Sequence, residues 1–438
     1  MYNIYKEKGD IKIIFNSIIC ILFCLGIFLI PFDKLPFLNY SSYSPSSIFP
    51  FFLAFLFIML KKFSIMKYDK WLNIFISISI GHSLISGMYY NNINSSIKHI
   101  ITLVVGFSIF YTTRYAFKIK GGSKAYIRIL KLSLAISLVL GYLQLLNQLG
   151  GHFHFIDKIT SLFVTQVYSG RIQLVSSEPS WAIMHLLTFG VLLFAYKGKN
   201  KFLLLATVLL FFLTFSVLGY GIVLFSLVFL GLISKNKYRI KILIIVALLI
   251  LSTFLVIPYI IDKLNIQGYY VQRFDYRYLF SQQFLMQDSS GFMRIISPVI
   301  GLLEFIHFPF GYGGGFYYVH FQDYIMKYFS YGLNLREVQY NFLDPVNTTA
   351  RNLLVKLLCE EGLLNTIFFI LFLKKIFNIC KNNYTKFIFC VALMLTINFD
   401  SYAFVDFWFL LGIVASKHFK DIKEHKHKKL KIVWGKKE

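Results

Sequence analysis

The chain has 438 residues, 57% of them hydrophobic and 15% charged. A soluble globular domain carries about 25% charged residues, so this composition excludes one and describes an integral membrane protein. The formal net charge of +25 would suit nucleic acid, but the lysines are dispersed among short connections with no base-stacking residues beside them, which excludes that partner.

Met1 to Lys12 is polar, and an apolar run follows at 13–32 without a small-residue cleavage site. It reads as a first transmembrane helix and not as a removed signal. Further apolar segments follow at 48–60, 71–90, 100–116, 129–148, 181–196, 202–216, 218–234, 242–261, 352–373, 387–397 and 405–416. The connections Lys61–Lys70, Lys118–Arg128, Lys197–Lys201, Lys235–Lys241 and Lys374–Lys386, and the tail from Lys417, are basic and alternate with connections poor in Lys and Arg. Basic loops stay cytoplasmic. The expected fold is therefore all-α and polytopic, about 12 transmembrane helices in a single domain spanning 1–438 with both ends inside. The segments at 48–60, 202–216, 387–397 and 405–416 fall short of the ~20 residues of a straight span, so they borrow flanking residues, tilt less or re-enter. The tail 417–438 is expected to be solvated near anionic headgroups.

In this topology the outside connections are 33–47, 91–99, 149–180, 217, 262–351 and 398–404. Two are long. The loop 262–351 is rich in aromatics, Gly, Asp and Arg. Its apolar stretch Ile295–Phe308 is too interrupted to span and is expected to lie as an amphipathic helix at the outer interface. No soluble domain is expected.

Arginines on the face that normally excludes them suggest an anion to be held. Arg171 precedes Glu178 and Pro179, with Ser180 the expected N-cap of the following helix. Glu178 either orients Arg171 or acts as a base. In the large loop stand Arg273, Arg277 and Arg294, followed by Pro309, Gly311 and Gly313–Gly315. That glycine run is either a flexible turn or a set of unhindered N–H donors. Arg351 and Asn352 open the tenth span, in which Lys356 and Glu360 share a helical face and form an expected internal ion pair. Tyr312, Phe316, Tyr317 and Tyr318 either stack on sugar rings or anchor the interface. His185 is expected to be packed or pore-facing. The five cysteines (Cys20, Cys24, Cys359, Cys380, Cys390) and the pair His152 and His154 lack metal-site spacing, so neither metal nor cofactor is expected.

At these residues the chain resembles the O-antigen polymerase and ligase family, the Wzy-type polysaccharide polymerases and their ligase relatives. Three blocks carry the likeness: Arg171 running into EPSWA; Gly291, Arg294, Pro309, Gly311 and Gly313; and Asn352, Glu360 and Gly362. The ligase-like members carry His just before the Asn, where this chain has Arg351, so the resemblance favours a polymerase. It implies a membrane glycosyltransferase of the bacterial plasma membrane. Its substrates would be undecaprenyl-pyrophosphate-linked oligosaccharides used at the outer face, and a chain-length regulator and a flippase would be its partners in the bilayer. In that reading Arg171, Glu178, Arg294 and Arg351 are catalytic. Arg273, Arg277, Gly311, Gly313, Asn352 and Glu360 bind substrate. The competing readings are an O-antigen ligase and a lipid-linked oligosaccharide flippase, the latter predicting carboxylates within broken spans.

Overall fold

The computed structural model describes residues 2–34, 46–60, 69–119, 122–147, 154–164, 166–167, 172–196, 200–214, 216–234, 239–248, 288–397 and 399–416, with the isolated positions 251, 259 and 263. Arg171, Arg273, Arg277 and the tail 417–438 lie outside the described residues.

Every regular element among the described residues is helical. In chain order these are α1 (Tyr2–Leu29), α2 (Ile48–Leu60), α3 (Lys70–Tyr89), α4 (Ile93–Ala116), α5 (Gly122–Leu146), α6 (His154–Phe163), α7 (Pro179–Ala195), α8 (Lys201–Leu213), α9 (Val217–Ile233), α10 (Ser289–His307), α11 (Phe321–Tyr328), α12 (Arg336–Leu343), α13 (Leu353–Lys356), α14 (Gly362–Ile379), α15 (Asn383–Leu395) and α16 (Val405–Ala415). Among the described residues four of these, α3, α4, α5 and α10, are long and apolar enough to cross a membrane, and seven shorter apolar helices accompany them. Phe202 is 83% exposed, Leu60 73% and Ile85 68%. Side chains of that size left outward at that level suit lipid and not water.

The middle of the bundle is α16, whose eleven residues are all buried. A helix apolar on every face, here interrupted only by Asp406, belongs in a core. It packs against α4, α15, α14 and α7. Gly106 of α4 faces the Tyr402 carbonyl and the Trp408 indole so closely that a methyl group would clash with both, and the small residue lets the helices meet.

Corners at one end of the bundle touch one another. The Asp33 amide donates to the Val175 carbonyl, and the Lys34 amide to that of Phe163. Asn92 donates to the Tyr318 hydroxyl at 2.7 Å, Trp181 lies 6.1 Å from Phe399, and the Arg351 amide donates to Asp400 at 2.8 Å. The other end carries Asp69 paired with Arg114 and Lys386 donating to the Ile233 carbonyl at 3.1 Å.

Three local expectations are corrected. Helix α4 begins at Ile93 and not near 100, because the Asn92 side chain caps it by accepting from the Ser95 amide at 3.2 Å. The N-cap of α7 is Glu178 and not Ser180. Pro179 occupies the first turn, where its missing N–H costs nothing, and the Ser180 hydroxyl instead donates to Glu178 at 3.0 Å. The third correction concerns the large loop. Helix α10 forms, starting earlier at Ser289, and against the expectation of a stretch too interrupted to span it is long and apolar enough to cross a membrane; residues 288–351 also build a core of their own. Phe292, Met293, Ile296 and Ile300 of α10 pack with Tyr317, Phe321, Ile325 and Val338 into a second apolar core, distinct from that of the bundle. Phe316 and Tyr317 are buried, so neither ring is free to stack on a ligand. This cap sits on α13 and the residues just after it.

Candidate functional site

Where the tenth apolar segment should be one helix, the chain breaks. Helix α13 lasts four residues, Leu357–Glu361 form a π turn, and Gly362 has φ +76° before α14 begins. A π turn loosens the carbonyl ladder, and here the cap takes up the loosened groups. The Tyr312 amide donates to the Cys359 carbonyl at 3.0 Å, the Gly313 amide to the Glu360 carbonyl at 2.8 Å, and the Leu363 amide to the Pro309 carbonyl at 2.9 Å. The Gly315 amide donates to the Glu360 carboxylate at 2.9 Å. Gly362 must be glycine on two counts: its φ is positive, and a side chain would strike the Phe310 carbonyl. The glycine run is therefore neither a flexible turn nor a set of free donors. Gly313 donates to the broken helix and Gly311 to the Phe308 carbonyl, so neither amide is open to a substrate anion.

Beneath this seam lies a buried polar cluster. Glu360 has Lys356 Nζ at 3.9 Å and His99 Nδ1 at 3.8 Å. Glu361 accepts from the Ser79 hydroxyl at 2.6 Å and from the Asn365 amide at 2.9 Å. His99 Nε2 stands 3.0 Å from Glu361 but off the line a hydrogen bond needs, so that contact is electrostatic. The Tyr402 ring closes the cluster, 5.2 Å from His99 and 5.7 Å from the Lys356 ammonium. A carboxylate stays ionised in a protein interior only when paired and hydrogen-bonded, and both of these are.

Arg351 stands at the lip of this junction. Its φ of +54° is unusual for a residue with a side chain. Two contacts hold it there: the amide on Asp400 and the guanidinium on Glu337 of α12. Asn352 is the N-cap of α13. Its side chain accepts from the Leu354 and Val355 amides and donates to the Ile397 carbonyl, so its bonding capacity goes to the backbone. Glu178 reaches the same end through Trp181, Phe399 and Asp400. Arg294 is half-buried on α10. Tyr312 is half-exposed on the seam, and burial together with the Glu304 carboxyl pushes its phenol up to about 12. It can donate a hydrogen bond near neutrality but cannot serve as a base.

The structure thus gathers Arg351, Asn352, Glu360, Gly311 and Gly313 at one junction. Sequence reasoning missed His99, which fell in an expected loop; Glu361 was legible as a charge beside Glu360 in the tenth span, but its partners Ser79, Asn365 and His99 were not. His185 is buried, in line with the packed alternative, and what sequence reasoning missed is the acids around it: it lies 2.9 Å from Asp406 and 3.9 Å from Asp33, and Asp33 accepts from the Ser177 amide at 2.5 Å. Among the described residues no cluster of three His, Cys, Asp or Glu could hold a metal ion. Comparison with protein-family models and with curated proteins gives no match.

Proposed function

We propose that the chain is a polysaccharide repeat-unit polymerase, a twelve-span glycosyltransferase at the outer face of the bacterial plasma membrane. It would move a growing O-antigen, capsule or exopolysaccharide chain from undecaprenyl pyrophosphate to an incoming lipid-linked repeat unit. The bond from the donor's anomeric carbon to the phosphate oxygen breaks, and a bond from that carbon to the acceptor's hydroxyl oxygen forms. The acceptor's proton goes to a base, and undecaprenyl pyrophosphate leaves with the bonding pair. Negative charge grows on the leaving phosphate, and a fixed guanidinium stabilises it more in the transition state than before. Arg351 suits this role, since Glu337 orients its planar fork and arginine grips phosphate bidentately. Arg171 and Arg294 are the further cations of this reading, with Arg273 and Arg277 behind them, and Glu178 is its base.

The observation that carries the reading is the cap of residues 288–351, seamed onto a broken span with Arg351 at its lip. A catalytic cap over a lipid-linked substrate needs such a fixed floor.

The same break lends weight to the transporter reading, because Glu360 and Glu361 are carboxylates inside a broken span. Depth argues the other way. From Glu361 to Lys374 is about 20 Å of helix in a core about 30 Å thick, so the acids lie toward the cap and not at the midplane where transporters place coupling ions. A ligase is disfavoured by Arg351 at the position of the ligase histidine.

Deletion of the gene followed by a glycan length ladder tests the proposal. A polymerase loss leaves single repeat units attached, a ligase loss leaves none attached, and a flippase loss leaves lipid-linked units inside. An unchanged ladder would sink all three.

A further inference from the structure

The corner between α3 and α4 holds a groove of about 300 Å³ lined by Gly87, Met88, Asn91, Asn92, Ile93 and Asn94. The transfer step makes no use of it. Its volume is at the lower end of ligand pockets, about 300–1,000 Å³, which is room for one or two sugar rings.

The lining narrows the chemistry. It contains no charged side chain, so it offers nothing to hold a diphosphate. It contains three carboxamides, which a prenyl tail would desolvate without return. A carboxamide presents donors and an acceptor in one plane, the pattern that neighbouring sugar hydroxyls satisfy. Two of the three have structural duties. Asn91 takes the left-handed turn at φ +53°, which Asn tolerates, and Asn92 caps α4. Asn94 is exposed and has no hydrogen-bond partner among the described residues. Tyr89, next to the groove, leaves 77% of its surface exposed, an aromatic face of the kind that stacks on the C–H face of a sugar.

Position agrees with chemistry. Asn92 is bonded to Tyr318 of the cap, and the Tyr90 ring lies 5.3 Å from Phe316, so the groove abuts the cap. From Asn92 to His99 is about 10 Å along α4, a reach that a short oligosaccharide covers. We propose that this groove binds a neutral sugar of the lipid-linked glycan, apart from the cations that hold the diphosphate. The inference rests on the glycosyltransferase reading and deepens it by placing the sugar end of the substrate.

The test is direct binding to the full chain in lipid nanodiscs. The probe is the soluble oligosaccharide released by mild acid from the producing cell's own lipid-linked pool, followed by saturation-transfer NMR and calorimetry. Wild type should bind it, and Asn94→Ala and Tyr89→Ala should each weaken binding at least tenfold with an unchanged melting temperature. Equal affinity in both variants, or no binding by wild type, overturns the sugar groove. The two proposals fail separately. Should gene deletion leave glycan length unaltered while both variants lose the probe, the polymerase reading falls and the groove stands. Should the ladder depend on the gene while the variants bind normally, only the groove falls.

Discussion

Arg351 shows how a single residue separates structural from chemical roles. Its pairing with Glu337 is partly solvated, the two side chains being 24% and 30% exposed, and such a pair adds about 0–1 kcal/mol. Its contact with Asp400 is made by the amide and survives any substitution that keeps the backbone. Arg351→Ala should therefore lower the melting temperature by little while cutting polymer formation by about 100-fold or more, the usual loss for one transition-state donor. Arg351→Lys should also be impaired, because a point charge cannot replace the bidentate fork. Wild-type glycan length in a folded Arg351→Ala variant would remove the residue from the mechanism.

Glu304 is a contrasting case at the same scale. It is fully buried in α10, and neither carboxylate oxygen has a hydrogen-bond partner among the described residues. An unsatisfied buried polar group costs about 1–3 kcal/mol. Glu304→Met, similar in length, should raise the melting temperature by a few degrees. A fall on calorimetry would show that the carboxyl has a task in holding the cap. The sequence could not flag it, since one Glu in ISPVIGLLEFIH reads as the polar side of an amphipathic helix.

Among elements, the seam between cap and broken span is the feature on which the site depends. Gly362→Ala puts a side chain at positive φ, at about 1–2 kcal/mol, and drives a methyl group into the Phe310 carbonyl. The seam bonds from Tyr312, Gly313 and Leu363 should then loosen. The measurement is amide hydrogen exchange, in which residues 309–315 should gain exchange well before α3 and α4 do. Equal protection in the variant would show that the cap holds by its apolar core alone. Sequence legibility follows the same physics. Segments 48–60 and 405–416 were readable almost to the residue, because unbroken hydropathy marks a buried or lipid-facing helix. The π break was not, because LLVKLLCEEGLL keeps helical periodicity on both sides and only the docked glycine turn reveals the interruption. The cap core was missed because α11 and α12, eight residues each, are too short to show a period. Of the candidate site, the order of Arg351, Asn352 and Glu360 was legible, but their partners were not: Glu337 lies 14 residues before Arg351 across a turn of the cap, Asp400 and His99 lie much farther away in sequence, and only the fold brings them near.

For the whole molecule, the decisive quantity is which end of the bundle faces outward. The lysine pattern predicts that the end bearing Lys374–Lys386 faces the cytoplasm, since basic loops are retained there, and the contacts among the corners put the cap at the other end of the bundle. A version lacking the five native cysteines, with one cysteine introduced at a time, can be probed in intact cells with a membrane-impermeant maleimide. Asp323→Cys on α11 and Lys381→Cys before α15 are suitable, since both positions are exposed. Asp323→Cys should label before lysis and Lys381→Cys only after it. The reverse pattern would put Arg351 and the seam in the cytosol, where no assembled lipid-linked glycan awaits polymerisation, and the transfer reading would fail whatever the fold. Labelling of both before lysis would mean an even number of crossings between Asp323 and Lys381, against the single α13–α14 span on which the depth of Glu360 and Glu361 was judged.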